Sequence, residues 1–138
     1  MSYEYLEHST DAFIEVKAKN LEEAFSVAGK SVVETIIDSN NIQEIEEKNI
    51  KVRGRNLLNL LYNWLEEIVT ITITDGFAIR NFSVHIKKNK EYQIISNISG
   101  EKLDIKKHNF KVEIKSPTFH LMEIEENDEI TMRYLLDL

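Results

Sequence analysis

The apolar positions of this chain change their period near its middle. Leu21, Ala24, Phe25, Ala28, Val32 and Ile36 recur at three- and four-residue steps, which gives a helix one apolar face. Asn20 is a good N-cap for that helix, Glu23 sits three residues later as in a capping box, and Asp38-Ser39-Asn40-Asn41 is turn chemistry that ends it. Upstream, Val16 to Lys19 reads as the end of a strand. Asn49 to Arg53 reads as a short strand with Ile50 and Val52 facing one way. Asn56 then caps a second helix, whose face of Leu57, Leu60, Leu61, Trp64, Leu65 and Ile68 is broad enough to be buried on most sides. Val69 to Thr74 is β-branched at every position. Local propensity favours a strand there while the helical pattern runs on into it, so both readings stay open.

After the Asp75-Gly76 turn the period is two. Phe82, Val84 and Ile86 alternate with polar residues, and Tyr92, Ile94 and Ser96 begin another strand. Phe110, Val112 and Ile114 predict a third, Phe119, Leu121 and Ile124 belong to a fourth, and Ile130 to Leu136 forms a last one. Residues 89–91 and 126–128 read as hairpin turns. The expectation is an α+β fold: two helices packed on a mainly antiparallel β-sheet layer, in a single compact domain over residues 1–138.

Composition narrows the function. Cysteine is absent, which removes disulfides, thiolate nucleophiles and zinc–thiolate sites, and suits a cytoplasmic protein. No apolar run approaches the roughly 20 residues that cross a bilayer, so no membrane partner is expected. Met1 to Asp11 carries three acids and no Lys or Arg, unlike a secretory signal. The net charge of −7, from 17 bases against 24 acids, argues against direct nucleic-acid binding, although an acidic protein can serve RNA by docking on a basic enzyme.

Enzyme motifs are missing. Gly29, Gly54, Gly76 and Gly100 never cluster into a phosphate loop, and there is no Gly-x-Ser-x-Gly elbow. His8, His85, His108 and His120 have no helical metal spacing, and a lone strand histidine is more often a surface or satisfied core group than a ligand. What stands out is a set of polar clusters at element ends: His8-Ser9-Thr10-Asp11, Gly100-Glu101-Lys102-Leu103-Asp104, Lys115 through His120 across Pro117, and Asp137-Leu138. Singly, each has an ordinary explanation as a cap, a turn, a strand break or a solvated end. Glu123, Glu125, Glu126, Asp128 and Glu129 form an acidic run, and such runs are usually solvated faces.

In order and spacing these blocks resemble the archease family. The match runs from Tyr3 through His8-Ser9-Thr10-Asp11, Leu21-Glu22-Glu23-Ala24-Phe25 and Leu60-Leu61-Tyr62-Asn63-Trp64-Leu65-Glu66-Glu67 to Gly100-Glu101 with Asp104 and His108, Lys115 to His120, and Leu136-Asp137-Leu138. Ser9-Thr10, Phe13 and Pro117 depart from the family's usual Thr-Ala, glycine and Ala-Val pattern. The resemblance implies a non-enzymatic protein cofactor of an RtcB-type RNA ligase, promoting its guanylylation and repeated turnover in tRNA splicing, with no small-molecule substrate of its own. It also implies a divalent metal, of the calcium type, held by Asp11, Asp137 and a main-chain or terminal oxygen of Leu138. His8, Lys115 and His120 would form the polar neighbourhood that meets the ligase. Two carboxylates with chain oxygens do suit a hard cation rather than zinc or copper. The rival readings are a metal-dependent hydrolase built on Asp11 and Asp137, and a general chaperone or modulator of tRNA-modifying proteins. Alternation along Phe110–Ile114 puts Lys115 on the opposite side, at the surface or beside the two carboxylates.

Overall fold

The computed structural model describes residues 1–6 and 11–138. Its elements run β1 (Ser2–Leu6), β2 (Asp11–Ala18), α1 (Leu21–Ile36), β3 (Glu46–Gly54), α2 (Leu57–Val69), β4 (Phe77–Lys88), β5 (Tyr92–Lys102), β6 (Ser116–Glu126) and β7 (Ile130–Asp137). The α+β class is as expected, with the strands divided between two antiparallel sheets, β1-β2-β7-β6 and β3-β5-β4.

Both helices begin where the sequence places them. The Asn20 side chain accepts the Glu23 N–H at 2.9 Å, and Glu23 reaches back to the Lys19 N–H at 3.4 Å, one residue earlier than a reciprocal capping box would. Asn56 accepts the Asn59 N–H at 2.9 Å in the same way. Helix α1 packs on β2 of one sheet, on β4 of the other, and on α2. Having neighbours on several sides explains why Val27, Ser31, Val33 and Thr35 are buried beside the apolar stripe. Trp64 is wholly buried, and its indole N–H donates to the Phe25 carbonyl at 2.8 Å, which locks α2 to α1.

Helix wins the contest over Val69 to Thr74. The chain continues from α2 into a wide π-type turn over Thr70–Thr74, closed by the Asp75 N–H donating to the Thr70 carbonyl at 3.0 Å. Ile71 and Thr72 are buried there, so tertiary packing overrides the β-branched propensity. Gly76, at φ +64°, ends the turn in a conformation that favours glycine.

Two expectations change, and one strand was not foreseen. The N-terminal strand β1, which pairs along β2, has only Tyr3 and Leu6 half-buried among its five residues. Phe110 to Ile114 is extended but belongs to no sheet. Its alternation is real, with Ile114 buried, Phe110 and Val112 half-buried, and Lys111 and Glu113 exposed. Its backbone is instead tied by the Lys111 N–H to the Ile36 carbonyl and by the Lys115 N–H to the Asp137 carbonyl, each at 2.8 Å. In β6, the pairing with β7 breaks between Thr118 and Glu123, Leu121 takes φ +61°, and Phe119 and Leu121 turn outward instead of joining the core.

Candidate functional site

Strand register builds the site. Asp11 on β2 lies directly opposite Asp137 on β7, and Asp137 lies opposite Ser116 on β6. Facing residues on neighbouring strands share a face, so the three side chains form one row across the sheet. The Lys115 N–H bond to the Asp137 carbonyl fixes the chain where it enters β6. Around this row is an open cleft of about 620 Å³, also lined by Tyr62, Pro117, Thr118, Phe119, His120 and Leu135. The irregular stretch of β6 brings Phe119 onto Tyr62 of α2, with the rings stacked at 4.4 Å and 10°. Partial burial and the neighbouring Glu66 carboxylate push the Tyr62 phenol up, so it stays neutral at physiological pH. The His120 N–H donates to the Thr118 hydroxyl at 3.1 Å, and its side chain is exposed.

Of the residues expected from sequence, Asp11, Asp137 and His120 therefore line one cleft, and Lys115 is tied to it through the backbone. The Lys115 side chain is exposed. Leu138 lies beside Asp11 in an adjoining cleft of about 440 Å³, so Asp11 borders both spaces. His8 lies outside the described residues. The aromatic wall of Tyr62 and Phe119 was not foreseen. The clue was there: Tyr62 flanks the apolar stripe of its helix, and Phe119 sits between Pro117 and His120 rather than in a clean alternation.

Among the described residues, no group of three or more acidic or histidine side chains is poised around one point. An ion here would take the Asp11 and Asp137 carboxylates and complete its shell from hydroxyl oxygens, main-chain oxygens and water. An all-oxygen set of that kind fits calcium or magnesium.

The block from Gly100 to His108 does something else. His108 is wholly buried; its Nδ1 accepts the Asp104 N–H at 2.9 Å, so Nε2 carries the proton and donates to Glu101 at 3.1 Å. Glu101 also accepts the Gln43 N–H at 2.7 Å and Lys107 Nζ at 2.9 Å. These donors, Gln43 first and then Lys107 and His108, hold its carboxyl down at about 2. Asp104 caps the following turn by accepting the Lys106 and Lys107 N–H groups, which keeps its own carboxyl low. None of Glu101, Asp104, Lys107 and His108 lines the Asp11–Asp137 cleft; the block is a polar clasp around the buried Glu101 and His108, with Asp104 and Lys107 exposed.

Residues 3–138 match the family model described as "Archease protein family (MTH1598/TM1083)". The chain is 38% identical over 124 residues to the protein archease of Pyrococcus abyssi, covering 89% of this chain and 87% of that one. It is 33% identical over 140 residues to the protein archease of Methanopyrus kandleri, covering 100% of each. Its fold is similar to the solution structure of Methanobacterium thermoautotrophicum protein 1598, with a TM-score of 0.81, 28% identity and 99% of each chain covered. A Thermotoga maritima crystal structure, described as an archease and possible chaperone, shares the fold at a TM-score of 0.62 and 20% identity, covering 98% of this chain and 96% of that one.

Proposed function

Because this chain belongs to the archease family, we propose that it is a non-catalytic protein cofactor of an RtcB-type RNA ligase in the cytoplasm, promoting the ligase's guanylylation and multiple turnover in tRNA splicing. The observation that supports this most is the facing of Asp11 and Asp137 in an open cleft with His120, next to Lys115. A bound divalent cation, of the calcium type, would supply positive charge that holds the two carboxylates together. Asp11, Asp137 and an oxygen of Leu138 would bind it. Lys115 and His120, both exposed, would meet the phosphate-rich active site of a nucleotidyl-transferring enzyme. A cleft this open leaves bound substrate facing water, which suits a surface that completes another protein's site better than a hydrolase of its own.

The test is guanylylation of the ligase with sub-stoichiometric amounts of this protein. Stimulation should exceed one turnover per added molecule, and the protein alone should hydrolyse nothing. Asp11→Asn and Asp137→Asn should weaken both stimulation and calorimetric calcium binding. Turnover by the protein alone would replace this reading with the hydrolase. Unchanged calcium affinity in both variants would remove the metal site.

A further inference from the structure

The acidic net charge averages over a segregated surface. Strand β3 begins with Glu46 and Glu47 and closes with Lys51 and Arg53, followed by Arg55. The neighbouring hairpin carries Lys87, Lys88 and Lys90 at its tip. These six are drawn from 17 basic residues in the whole chain, and strand register gathers them at one end of the three-stranded sheet.

On β5, Gln93 is the partner of both Arg53 and Lys87, so these three side chains form one row on one face. The next row on that face holds Lys51 and His85, flanking Ile95. Two inter-strand steps separate Arg53 from Lys87 by roughly 10 Å, and Lys51 stands roughly 7 Å along the strand from Arg53. The face is turned to solvent: Lys51, Arg53, His85 and Lys87 are all exposed. A shallow cleft of about 380 Å³ runs between Arg53, Lys87, Lys90 and Tyr92, and Lys88 lies over the Tyr92 ring at 5.1 Å. Glu91 is the single acid lining it.

We propose that this end of the sheet is a docking surface for the phosphate backbone of an RNA strand. A spread of exposed cations, with amide side chains between them, is the pattern that neutralises phosphates. An acidic protein partner fits it less well, because stable protein interfaces centre on exposed apolar anchors. Among the described residues the exposed large apolar side chains (Met1, Tyr5, Ile45, Leu58, Ile105, Phe119 and Leu121) all lie elsewhere in the sequence and none lines this cleft. The choice of RNA over DNA rests on the ligase reading; the charge geometry does not. The Asn63 amide donates to the Arg53 carbonyl at 2.7 Å, so the basic end of β3 is pinned to α2 beside Tyr62, the wall of the acidic cleft. An RNA end could thus be held next to the surface offered to the ligase.

The test needs neither ligase nor metal. A labelled oligoribonucleotide of about 20 nucleotides is titrated with the protein at several salt concentrations, beside the same sequence as DNA and a poly-glutamate competitor. Binding should weaken with salt, with a slope that falls by about 2 units in the Arg53→Gln, Lys87→Gln, Lys90→Gln triple variant, since each lost single-strand phosphate contact removes about 0.7. Affinity at low salt should drop at least about tenfold. A charge-matched control, Lys19→Gln, Lys30→Gln, Lys106→Gln, should bind like wild type. Thermal melts on the same samples establish that each variant is folded. Absence of binding, DNA bound more tightly than RNA, equal competition by poly-glutamate, or equal losses in both triple variants would each overturn the proposal. Guanylylation without RNA should be unaffected by the basic-face variant, which keeps this outcome separate from that of the ligase reading.

Discussion

Glu101 is nearly buried, yet it stays ionised because the Gln43 N–H, Lys107 and His108 all donate to it. Each alone would be a modest interaction; together they make the charged carboxylate the form that fits. The consequence for pH has a definite sign. The folded carboxyl titrates at about 2, against 4.5 for the ordinary group, so the unfolded chain binds the extra proton first. Its contribution to stability is complete above 4.5 and is lost as pH falls from there toward 2. Glu101→Gln should therefore melt well below wild type at neutral pH, and the gap in Tm should close on acidification to about pH 2. A gap that stays constant across that range would show that the carboxylate's charge is not what the clasp uses. The clasp was visible in sequence only as a spacing, Gly100-Glu101, Asp104 and His108. Nothing in the spacing tells a buried histidine from a surface one; that needs the fold that closes over it.

At the scale of elements, legibility followed the strength of local signals. Asn20 and Asn56 mark helix starts because a side-chain acceptor at an N-cap acts within three residues. The period-two alternation of β4 and β5 is equally local. The fate of Phe110–Ile114 depends on distant partners, the carbonyls of Ile36 and Asp137. Alternation reports which side chains point inward, but whether a neighbouring strand offers its carbonyls is decided elsewhere in the chain. The irregular part of β6 is the same lesson at the site. Phe119 and Leu121 are apolar in a strand-like context, yet the interrupted pairing turns them out, and Phe119 finds Tyr62. The extended segment also sets the expectation for Lys115. Its backbone N–H, which any residue but proline supplies, holds the Asp137 carbonyl, while its side chain is exposed. Lys115→Ala should keep that bond and change stability by no more than about 0.5 kcal/mol, but it should stimulate the ligase poorly. Thermal unfolding and guanylylation on one preparation decide it. Full stimulation by the folded variant would mean the side chain is dispensable, and a large loss of Tm would make it structural.

At the scale of the molecule, the tips of the two hairpins carry opposite charge. The three-stranded sheet ends in bases at its β4–β5 hairpin, and the four-stranded sheet ends in acids at its β6–β7 hairpin, where Glu125, Glu126, Asp128 and Glu129 are exposed. Glu123 is set apart from that group, because Arg133 Nη1 bonds it at 3.3 Å while Nε holds Glu15 at 2.7 Å. The remaining four acids project from a hairpin tip whose own turn is closed by the backbone bond from the Asn127 N–H to the Glu129 carbonyl. They are therefore not needed to hold the turn. Exposed like charges at a tip contribute little to stability, but they shape the field a partner meets before contact. If the partner's face is basic, as an RNA enzyme's is, these acids steer the encounter, and the effect belongs to the association rate. Replacing the four with Gln and Asn should lower that rate severalfold at low salt, leave dissociation nearly unchanged, and flatten the dependence of association on salt. Stopped-flow association with the ligase, at low and at physiological ionic strength, reads all three. If wild-type rates are already flat between the two conditions, the hairpin is only a solvated turn.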